Sequence, residues 1–403
     1  MRIGIYLGDF TPDVGGGFTF QDDVFRAFAK IAAQSPHQFV VMGTADNLQD
    51  YVKTVSDAGN FQTARVVVTS INQRVEALKI YSSFLRKLLP DGPIERAAKK
   101  LGLDCLWYVG GGVFEAIDIP YVATVWDLQH RMTPWFPEMS AGGTWDAREC
   151  SYRRFLQRAS YVVTGTEVGR TEISLCYGVT EDRIRVLPHP TPAFALQAGT
   201  QNVDTSDQRI SITGPYLLYP AQFWPHKNHV NLLHALAMLR DKHGLHLSLV
   251  LAGSEKGNIQ HIKETVENLG LKDQVFFTGF VTQTELVDLY RGASMLVYAS
   301  FCGPENLPPL EAFALGCPVA AAEVPGSKEQ LKSAAVFFNP TDSEDIANVI
   351  QRLHSDTALR AELMARGFTR AKSWTAQEFS QGMLALFDDF ATTRRCWPNG
   401  ATL

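Results

Sequence analysis

The sequence predicts an α/β protein of two Rossmann-like domains, each built on a doubly wound parallel sheet. Short, continuously apolar runs alternate with helical patterns along most of the chain, which is typical of parallel strands covered by helices on both faces. A polar, aperiodic stretch at residues 198–213 divides this alternation into two halves. The chain has 403 residues. Because one hydrophobic core rarely extends past about 250–300 residues, two domains are expected.

The first half, residues 1–197, begins with the apolar run IGIYLG (3–8). A helix follows, in which Phe20, Val24 and Phe28 recur every four residues. Further strands are predicted at 38–43, 64–70, 105–110, 121–126 and 161–165, with helices near 72–89, 94–101 and 146–159. This order predicts the first doubly wound sheet.

The second half, residues 214–373, repeats the alternation after the predicted linker at 198–213. Strands are predicted at 216–221, 247–253, 275–279, 295–300, 318–322 and 335–338, and helices near 228–242, 258–269, 282–292, 307–315 and 342–353. The tail, residues 374–395, has an apolar helical stripe and no strand after it, so by pattern alone this helix can pack on either half.

Composition and charge exclude several classes of protein. The net charge is −5, with 37 Lys and Arg against 42 Asp and Glu, so no basic excess favours nucleic acid as a partner. Six cysteines occur without a Cys-x-x-Cys pair, which favours reduced thiols. The N-terminus lacks the pattern of a signal peptide, and no run reaches the roughly 18 apolar residues that span a bilayer. We therefore expect a cytoplasmic protein.

The segment GPENLPPLEAFALG (303–316) follows a predicted strand and predicts the start of a helix near 307. Proline is tolerated in a first helical turn because its missing N–H would be unpaired there. A loop between strand and helix lies at the carboxyl edge of a parallel sheet, where ligands bind, and a helix N-terminus favours phosphate. Glu311 has two acceptor oxygens, which suit a vicinal diol such as a ribose; alternatively it only complements the helix dipole.

The segment YPAQFWPHKNH (219–229) also joins a predicted strand to a predicted helix. Lys227 lies in this loop, in position to meet an anion, or it is an ordinary solvated lysine. His226 and His229 flank it, but no third metal ligand is apparent in the sequence.

Glycines and titratable residues follow two strands of the first half. Gly16 and Gly17, in TPDVGGGFTF, allow close approach of a ligand to the backbone, although the spacing is not G-x-G-x-x-G and a surface loop remains an alternative. Asp127 and His130, in TVWDLQH, follow the strand at 121–126. His130 is a candidate proton relay or hydrogen-bond partner for a sugar, or a structural histidine.

Residues 81–100 combine apolar side chains with five Lys and Arg. Such a segment can hold a protein at an anionic bilayer surface. The alternative is an amphipathic helix packed on the sheet.

These motifs together resemble glycosyltransferase family 4, retaining enzymes of the GT-B fold, in which two Rossmann-like domains face a central cleft. The resemblance rests on the glycine loop at 15–17, on DLQH (127–130), on LYPAQFWPHKNH (218–229), on FTGFV (277–281) and on GPENLPPLEAFALGCPV (303–319), with Trp374 before the last helix. It is strongest to the branch with a GPTN-type loop, found among enzymes of bacterial surface polysaccharide synthesis. It implies that the last helix packs back on the N-terminal domain.

The resemblance implies roles for individual residues. Glu311 matches the glutamate that binds the ribose, and Lys227 matches the lysine on the donor diphosphate. The other matched positions are Gly279, Phe280 and Val281 at the base, Asn306, Leu307 and Pro308 at the donor sugar and phosphate, and Gly16 and Gly17 at the diphosphate and acceptor.

Three departures from the family pattern concern the same pocket. The first glutamate of the pattern falls at Gly303, while Glu305 lies out of register at the place of the branch's threonine. Gln222 stands where an arginine usually accompanies the lysine. Trp126 replaces the histidine of a His-Asp pair, which leaves Asp127 and His130 as candidates.

The implied activity is transfer of a hexose, with mannose favoured, from a GDP- or UDP-sugar to a glycan or lipid-linked glycan acceptor. Lys227, the helix N-terminus and glycine amides would stabilise the departing diphosphate. No Asp-x-Asp pattern occurs, so we expect a metal-independent reaction without a cofactor. Alternatives are a GT-B enzyme such as a nucleotide-sugar epimerase, or a catalytically weak partner subunit. Peripheral contact with the inner membrane surface is expected through residues 81–100.

Overall fold

The computed structural model describes residues 1–11, 15–56, 59–69, 72, 75, 79, 88–112, 115–200 and 214–398. The chain forms two compact units. The first comprises Met1–Met132, Ser140–Pro190 and Ala376–Leu403, and the second Thr133–Met139 and Thr191–Thr375. Each unit contains a sheet of parallel strands with helices, which confirms the predicted fold class.

The first unit has seven described strands in the order β3-β2-β1-β4-β5-β6-β7, all parallel. They are β1 Arg2–Tyr6, β2 Gln38–Gly43, β3 Phe61–Arg65, β4 Cys105–Tyr108, β5 Tyr121–Thr124, β6 Tyr161–Thr164 and β7 Ile184–Val186. Its helices are α1 Gly16–Ala32, α2 Ala45–Val55, α3 Pro93–Lys100, α4 Gln129–Met132, α6 Thr144–Arg158 and α7 Glu167–Tyr177. The short helix α5, Pro137–Ser140, has its first three residues in the second unit. The strand order reverses between β1 and β4.

The second unit has six described strands in the order β10-β9-β8-β11-β12-β13, also parallel. They are β8 Tyr216–Pro220, β9 Ser248–Ala252, β10 Val275–Gly279, β11 Met295–Tyr298, β12 Val319–Ala322 and β13 Ala335–Phe338. Its helices are α8 Ala193–Gly199, α9 His229–His243, α10 Ile259–Asn268, α11 Gln283–Gly292, α12 Leu307–Ala314, α13 Ser327–Leu331, α14 Ser343–Ser355 and α15 Thr357–Ser373. The strand order reverses between β8 and β11.

Local sequence explains these elements. The strands β4 and β11 are buried at every position, as expected of central parallel strands between two helical layers. Helix α11 begins with a capping box formed by Thr282 and Glu285, which satisfies two backbone donors. Helices α3 and α12 have proline in the first turn, where its missing N–H costs nothing.

Several elements differ from the sequence prediction. Strand β3 lies at 61–65 and not at the predicted 64–70. It is an edge strand that is buried mainly at Phe61, so it lacks the continuous apolar pattern of a central strand. The apolar run on which the prediction rested lies mostly beyond the strand and leaves Val67 60% exposed. Helix α15 and strand β7 were not predicted from the sequence. The helix buries only a narrow stripe that includes Leu363 and Gly367, and the strand has three residues. Most of the predicted helix near 72–89 lies outside the described residues.

The change from the first unit to the second lies at Pro190/Thr191, seven residues before the predicted boundary. The reason is that α8 packs within the second unit. A Cβ on Gly199 would lie 2.2 Å from the carbonyl oxygen of Ala314, and Arg291 donates to the carbonyl of Ala198 at 2.7 Å. Residues 201–213 of the predicted linker lie outside the described residues.

The terminal helix α16, Ala376–Arg394, packs in the first unit against α1. Phe379 meets Phe20 edge-on at 5.4 Å between ring centroids, and Phe387 meets Phe28 at 6.2 Å. The Ser380 hydroxyl donates to the carbonyl of Val24 at 3.3 Å.

The candidate membrane segment is described only in part, because residues 81–87 lie outside the described residues. Its later part forms α3, which buries Ile94 and Ala98. Lys99 forms ion pairs with Asp91 and Glu95. No helix in the described part of the chain is both long and apolar enough to cross a bilayer.

Candidate functional site

The candidate site of the second unit lies at the carboxyl edge of its sheet, where the strand order reverses between β8 and β11. In open α/β sheets this crevice is the usual place for a ligand. The loop after β8 carries Lys227 in a 3-10 turn, Pro225–Lys227. The loop after β11 carries residues 299–306 and leads into α12. The topology therefore brings the two strongest sequence motifs to neighbouring strand ends.

A chain of hydrogen bonds joins these two loops. The Lys227 ammonium donates to the Tyr298 hydroxyl at 3.0 Å and lies 5.4 Å from the centroid of that ring. Tyr298 in turn donates to Oδ1 of Asn306 at 2.7 Å. The Asn306 amide donates to the carbonyl of Gly303 at 2.9 Å. The chain fixes the ammonium relative to the residue that immediately precedes α12.

Two buried residues hold the Lys227 turn in shape. Asn228 adopts a left-handed conformation, with φ of 58°, which asparagine tolerates better than most residues. Its amide donates to the carbonyls of Ala299 and Pro340 at 2.9 and 2.8 Å. Tyr219, from β8, donates to the carbonyl of Lys227 at 2.6 Å. The position of Lys227 is therefore set by the core beneath it.

Gln330, which the sequence analysis missed, fixes Asn306 from the other side. Its Oε1 accepts from the Asn306 N–H at 3.1 Å, and its Nε2 donates to the Asn306 carbonyl at 2.9 Å. The side chain is almost fully buried, with 3% exposed. Arg370 donates to the Gln330 carbonyl at 2.8 Å and interacts electrostatically with the half-buried Glu305. No local sequence signal distinguishes this glutamine, because its partner is distant in the chain.

The first turn of α12 contains Leu307, which is buried, and Pro308, which is half-buried. Glu311, one turn later, is a buried carboxylate. The Tyr290 hydroxyl donates to its Oε2 at 2.7 Å and to the Pro308 carbonyl at 3.1 Å. Burial and the Glu311 charge raise the pKa of Tyr290 well above its usual value, so the phenol remains a donor. Glu311 is therefore a fixed acceptor and not a mobile surface charge.

The remaining predicted donor residues lie at other points of the same sheet edge. Oε1 of Gln222 accepts from the Trp224 indole at 2.9 Å. Gly279 ends β10 with φ of 71°, Phe280 is 58% exposed, and Val281 packs against the core. Since β10 is separated from β8 by β9, these positions lie two strands away from Lys227.

Gly303 adopts φ of 106°, a conformation that strongly favours glycine. A Cβ there would lie 2.9 Å from both terminal atoms of the Asn306 amide. The loop geometry of this chain therefore disfavours a glutamate at the position where the family pattern has one, because a side chain there would be strained.

In the first unit, the glycine loop and the DLQH segment adjoin one another. A Cβ on Gly17 would lie 3.3 Å from the Trp126 ring. Trp126 also packs against Phe10 and Phe20, each at 5.5 Å between ring centroids, and against His189 at 6.1 Å. Gly16 begins α1, while residues 12–14 lie outside the described residues. The tryptophan therefore sits in an aromatic cluster.

Asp127 pairs with Arg148, whose Nη2 lies 2.8 Å from its Oδ1, and accepts from the Gln129 N–H at 2.9 Å. Burial alone would raise the pKa of Asp127, but the Arg148 guanidinium and this N–H lower it. The carboxylate is therefore charged and committed to an ion pair.

His130, predicted as a proton relay, has no exposed surface. Its Nε2 lies 3.0 Å from the Tyr177 hydroxyl and 3.4 Å from Glu149. Burial, with a further contribution from Arg148, lowers the pKa of His130 to about 4. The structure thus places this histidine in the core of the first unit and favours the structural alternative.

The flanking histidines of the lysine loop do not form a metal site with their neighbours. His229 is 1% exposed and packs on Tyr219 and Phe223, at 4.9 and 5.1 Å between ring centroids. Within the described residues, no group of three or more His, Cys, Asp or Glu side chains is arranged to hold a metal ion.

Comparisons with known proteins agree with this geometry. Residues 202–370 match the family model described as glycosyl transferases group 1, which covers most of the second unit. Among solved structures, a glycosyltransferase from Rickettsia africae has a TM-score of 0.70 and 15% identity, covering 97% of this chain and 98% of that chain. Anabaena Alr3699/HepE, in complex with UDP and glucose, has a TM-score of 0.68 and 16% identity, covering 96% and 100%. These likenesses show the GT-B fold.

Curated relatives match with lower coverage. The serotype-specific mannosyltransferase WbdA of Escherichia coli is 27% identical over 182 residues, which is 45% of this chain but only 22% of that protein's length. The O-antigen chain mannosyltransferase RfbU of Salmonella typhimurium is 27% identical over 209 residues, 50% of this chain and 54% of that protein. The chain is thus similar to group 1 glycosyl transferases over residues 202–370, and it spans less than two thirds of the length of these curated relatives.

Proposed function

We propose that the protein is a retaining glycosyltransferase of family 4, which transfers a hexose from a nucleoside-diphosphate sugar to a glycan acceptor. The observation that carries this proposal is the Lys227–Tyr298–Asn306 chain at the point where the strand order reverses. It holds a cation close to a helix N-terminus, and both features stabilise an anion such as a departing diphosphate. The glycosyl transferases group 1 match spans the same residues.

The donor is proposed to lie along the carboxyl edge of the second sheet. Glu311, which Tyr290 fixes, would accept from the ribose hydroxyls. Gly279, Phe280 and Val281 would meet the base, and Gln222, Glu305, Asn306, Leu307 and Pro308 would surround the sugar and phosphates. The complex of Anabaena Alr3699/HepE with UDP and glucose supports a nucleotide-sugar donor, GDP- or UDP-linked.

The first unit is proposed to serve the acceptor, with Gly16, Gly17 and Asp127 as its contributing residues. In a retaining reaction of this type the acceptor attacks from the face that the leaving group occupies. The departing phosphate takes the acceptor's proton, and no second carboxylate beneath the sugar is required. The reaction is proposed to need neither metal nor cofactor.

Mannose is favoured as the sugar, and surface polysaccharide as the product, since WbdA and RfbU are mannosyltransferases and RfbU acts on the O-antigen chain. The acceptor is then a glycan or lipid-linked glycan, and the protein acts at the cytoplasmic face of the inner membrane, in peripheral contact through residues 81–100. A catalytically weak partner subunit is the second candidate, because Gly303 and Gln222 replace two charged residues of the family pattern.

The test is replacement of the lysine. Lys227→Ala should lower release of nucleoside diphosphate from GDP-mannose or UDP-glucose, with octyl mannoside as acceptor, by about 100-fold or more, as removal of one oxyanion donor does. Lys272→Ala removes an exposed lysine of the same unit, which pairs with Glu267, and should leave the rate unchanged. Near-normal turnover by Lys227→Ala would refute the assignment.

A thermal-shift panel separates the two candidates. GDP, UDP, GDP-mannose and UDP-glucose should each be tested, because a ligand that binds only the folded state raises the melting temperature. A shift without turnover would favour the partner subunit. No shift with any of the four would reject a nucleotide-sugar site.

A further inference from the structure

A short segment from the first half of the sequence, Thr133–Met139, belongs to the second unit, although the residues on either side of it belong to the first. It contributes two side chains to the loops of the candidate donor site, Phe136 and Glu138. No sequence motif of the donor site includes this segment.

Glu138 binds the residue next to Lys227. Its Oε1 accepts from the backbone N–H of His226 at 3.0 Å and lies 2.5 Å from the ring Nδ1 of the same residue. Both side chains are largely buried, with 8% of Glu138 and 13% of His226 exposed. Hydrogen bonds of a carboxylate are stronger than those between neutral groups, so this contact holds the backbone of the Pro225–Lys227 turn.

His226 is also hydrogen-bonded to the loop after β11. Its carbonyl accepts from the Phe301 N–H at 2.9 Å. The Phe136 ring stacks on Phe301, with 5.6 Å between centroids and planes 28° apart. The segment is therefore bonded to the loop after β8 and packed on the loop after β11.

We infer that Glu138 is a positioning residue, which sets the Lys227 ammonium at the distance from the α12 N-terminus that diphosphate departure requires. The inference rests on the proposed function for its catalytic consequence, but the coupling between the two loops is independent of it. Displacement of a catalytic group by about 1 Å can cost about 100-fold in rate. Glu138 acts through His226 and need not touch the donor.

Hydrogen exchange tests the coupling without any assay of activity. Glu138→Ala should speed amide exchange in peptides covering 222–228 and also 299–306, since local opening sets exchange rates. The second peptide is distant from residue 138 in the sequence, so it reports transmission through His226. The matched control, Glu267→Ala, removes a carboxylate that is 58% exposed and pairs only with Lys272 among the described ion pairs, and should change neither peptide. Unchanged exchange in 299–306 would overturn the inference.

A double-mutant cycle tests the catalytic consequence. Glu138→Ala should lower kcat by about 10- to 100-fold in the native background, but by less than about threefold once Lys227 is alanine, because interacting residues are not additive. The kcat of Glu138→Gln, which keeps an acceptor for the His226 N–H, should lie between that of the native protein and that of Glu138→Ala. An equal fold-loss of kcat in the native and the Lys227→Ala backgrounds would mean a merely structural role for Glu138 and would overturn the inference. If the native protein releases no nucleoside diphosphate from any donor, the proposed function fails, while the exchange result still decides the coupling.

Discussion

The carboxyl edges of the two sheets have the same topology but different chemistry. Both sheets reverse strand order beside their first strand, so each places two loops side by side. In the second unit those loops hold a hydrogen-bonded chain from Lys227 through Tyr298 to Asn306. In the first unit the corresponding region holds an aromatic cluster around Trp126. The same architecture thus holds a lysine in one unit and, next to the Asp127–Arg148 ion pair, an aromatic cluster in the other.

The titratable residues differ in the same way. In the first unit, His130, Glu149 and Tyr177 form a network behind the sheet edge, in the core. In the second unit, Lys227 lies in the loop at the sheet edge, and Glu311 is buried one turn into the helix that follows the neighbouring loop. This teaches that a charged motif after a strand marks a ligand site only if the fold leaves the side chain at the edge.

The largest expected effect is on stability, from Glu149→Ala in the first unit. The Glu149 side chain is 4% exposed. It accepts hydrogen bonds from Arg131, Arg153 and Tyr177. Its removal takes a charged acceptor from the Tyr177 hydroxyl and from two arginines, which are 25% and 66% exposed, at a cost of about 1.5–3 kcal/mol. Urea unfolding should show this loss, whereas Glu167→Ala, an exposed carboxylate paired with Arg170, should cost less than about 1 kcal/mol.

Acid titration gives an independent check on Glu149. Burial favours its protonation, but hydrogen bonds from Arg131 and Arg153 hold its pKa at about 2, below the ordinary 4.5. The unfolded chain therefore binds this proton first, and the stability that the carboxylate contributes is present above pH 4.5 and lost as the pH falls to about 2. If Glu149→Ala were as stable to urea as the native protein, the network would not be structural.

The next effect concerns Gly303, where sequence pattern and geometry disagree. Gly303→Glu restores the family's residue, yet φ of 106° and the contact with Asn306 should make it destabilising by about 1–3 kcal/mol. It should also raise the KM for the proposed nucleotide-sugar donor, because the loop at 299–306 must shift. Gly244→Ala, at the end of α9 with φ of 63°, adds strain elsewhere and should leave KM unchanged. A gain of activity in Gly303→Glu would mean that the family's glutamate site is intact here.

The sequence was sufficient for the fold because the elements that define it are strongly patterned. Continuous apolar strands such as β4 and β11 were located to within a few residues. The edge strand β3 was predicted too far along the chain, because the apolar run that follows it has a stronger strand pattern than the strand itself. Helix α15 was missed since its buried stripe is narrow.

Residues of the candidate site could be proposed from the sequence only where they lie within one motif. Lys227, Asn306 and Glu311 follow strands and precede helices, so local pattern and topology together indicate them. Gln330 and Glu138 act on residues 24 and 88 positions away, and no periodicity connects such pairs. His130 shows the opposite difficulty, because a histidine after a strand has the same local pattern whether it faces a ligand or the core.

The effect that is smallest at neutral pH tests that last point, through the pH dependence of stability. The folded protein keeps His130 neutral down to about pH 4, whereas the unfolded chain takes up a proton near 6.5. The unfolded state therefore binds more protons between these values. The stability due to the buried neutral ring is present above pH 6.5 and lost as the pH falls toward 4, by at most about 1.4 kcal/mol per pH unit.

In His130→Gln, the free energy of unfolding measured with urea should depend less steeply on pH in this range. His243→Gln, which replaces an exposed histidine, should leave that dependence unchanged. His189 and His229, whose pKa values burial lowers to about 4 and about 3, keep contributing in both variants, so the slope is reduced and not abolished. Turnover of folded His130→Gln should stay within about threefold of the native value, because a residue without exposed surface does not touch the acceptor. A loss of 100-fold or more at unchanged stability would instead return His130 to the catalytic role that its place in the sequence suggested, and the contrast between the two sheet edges would then not hold.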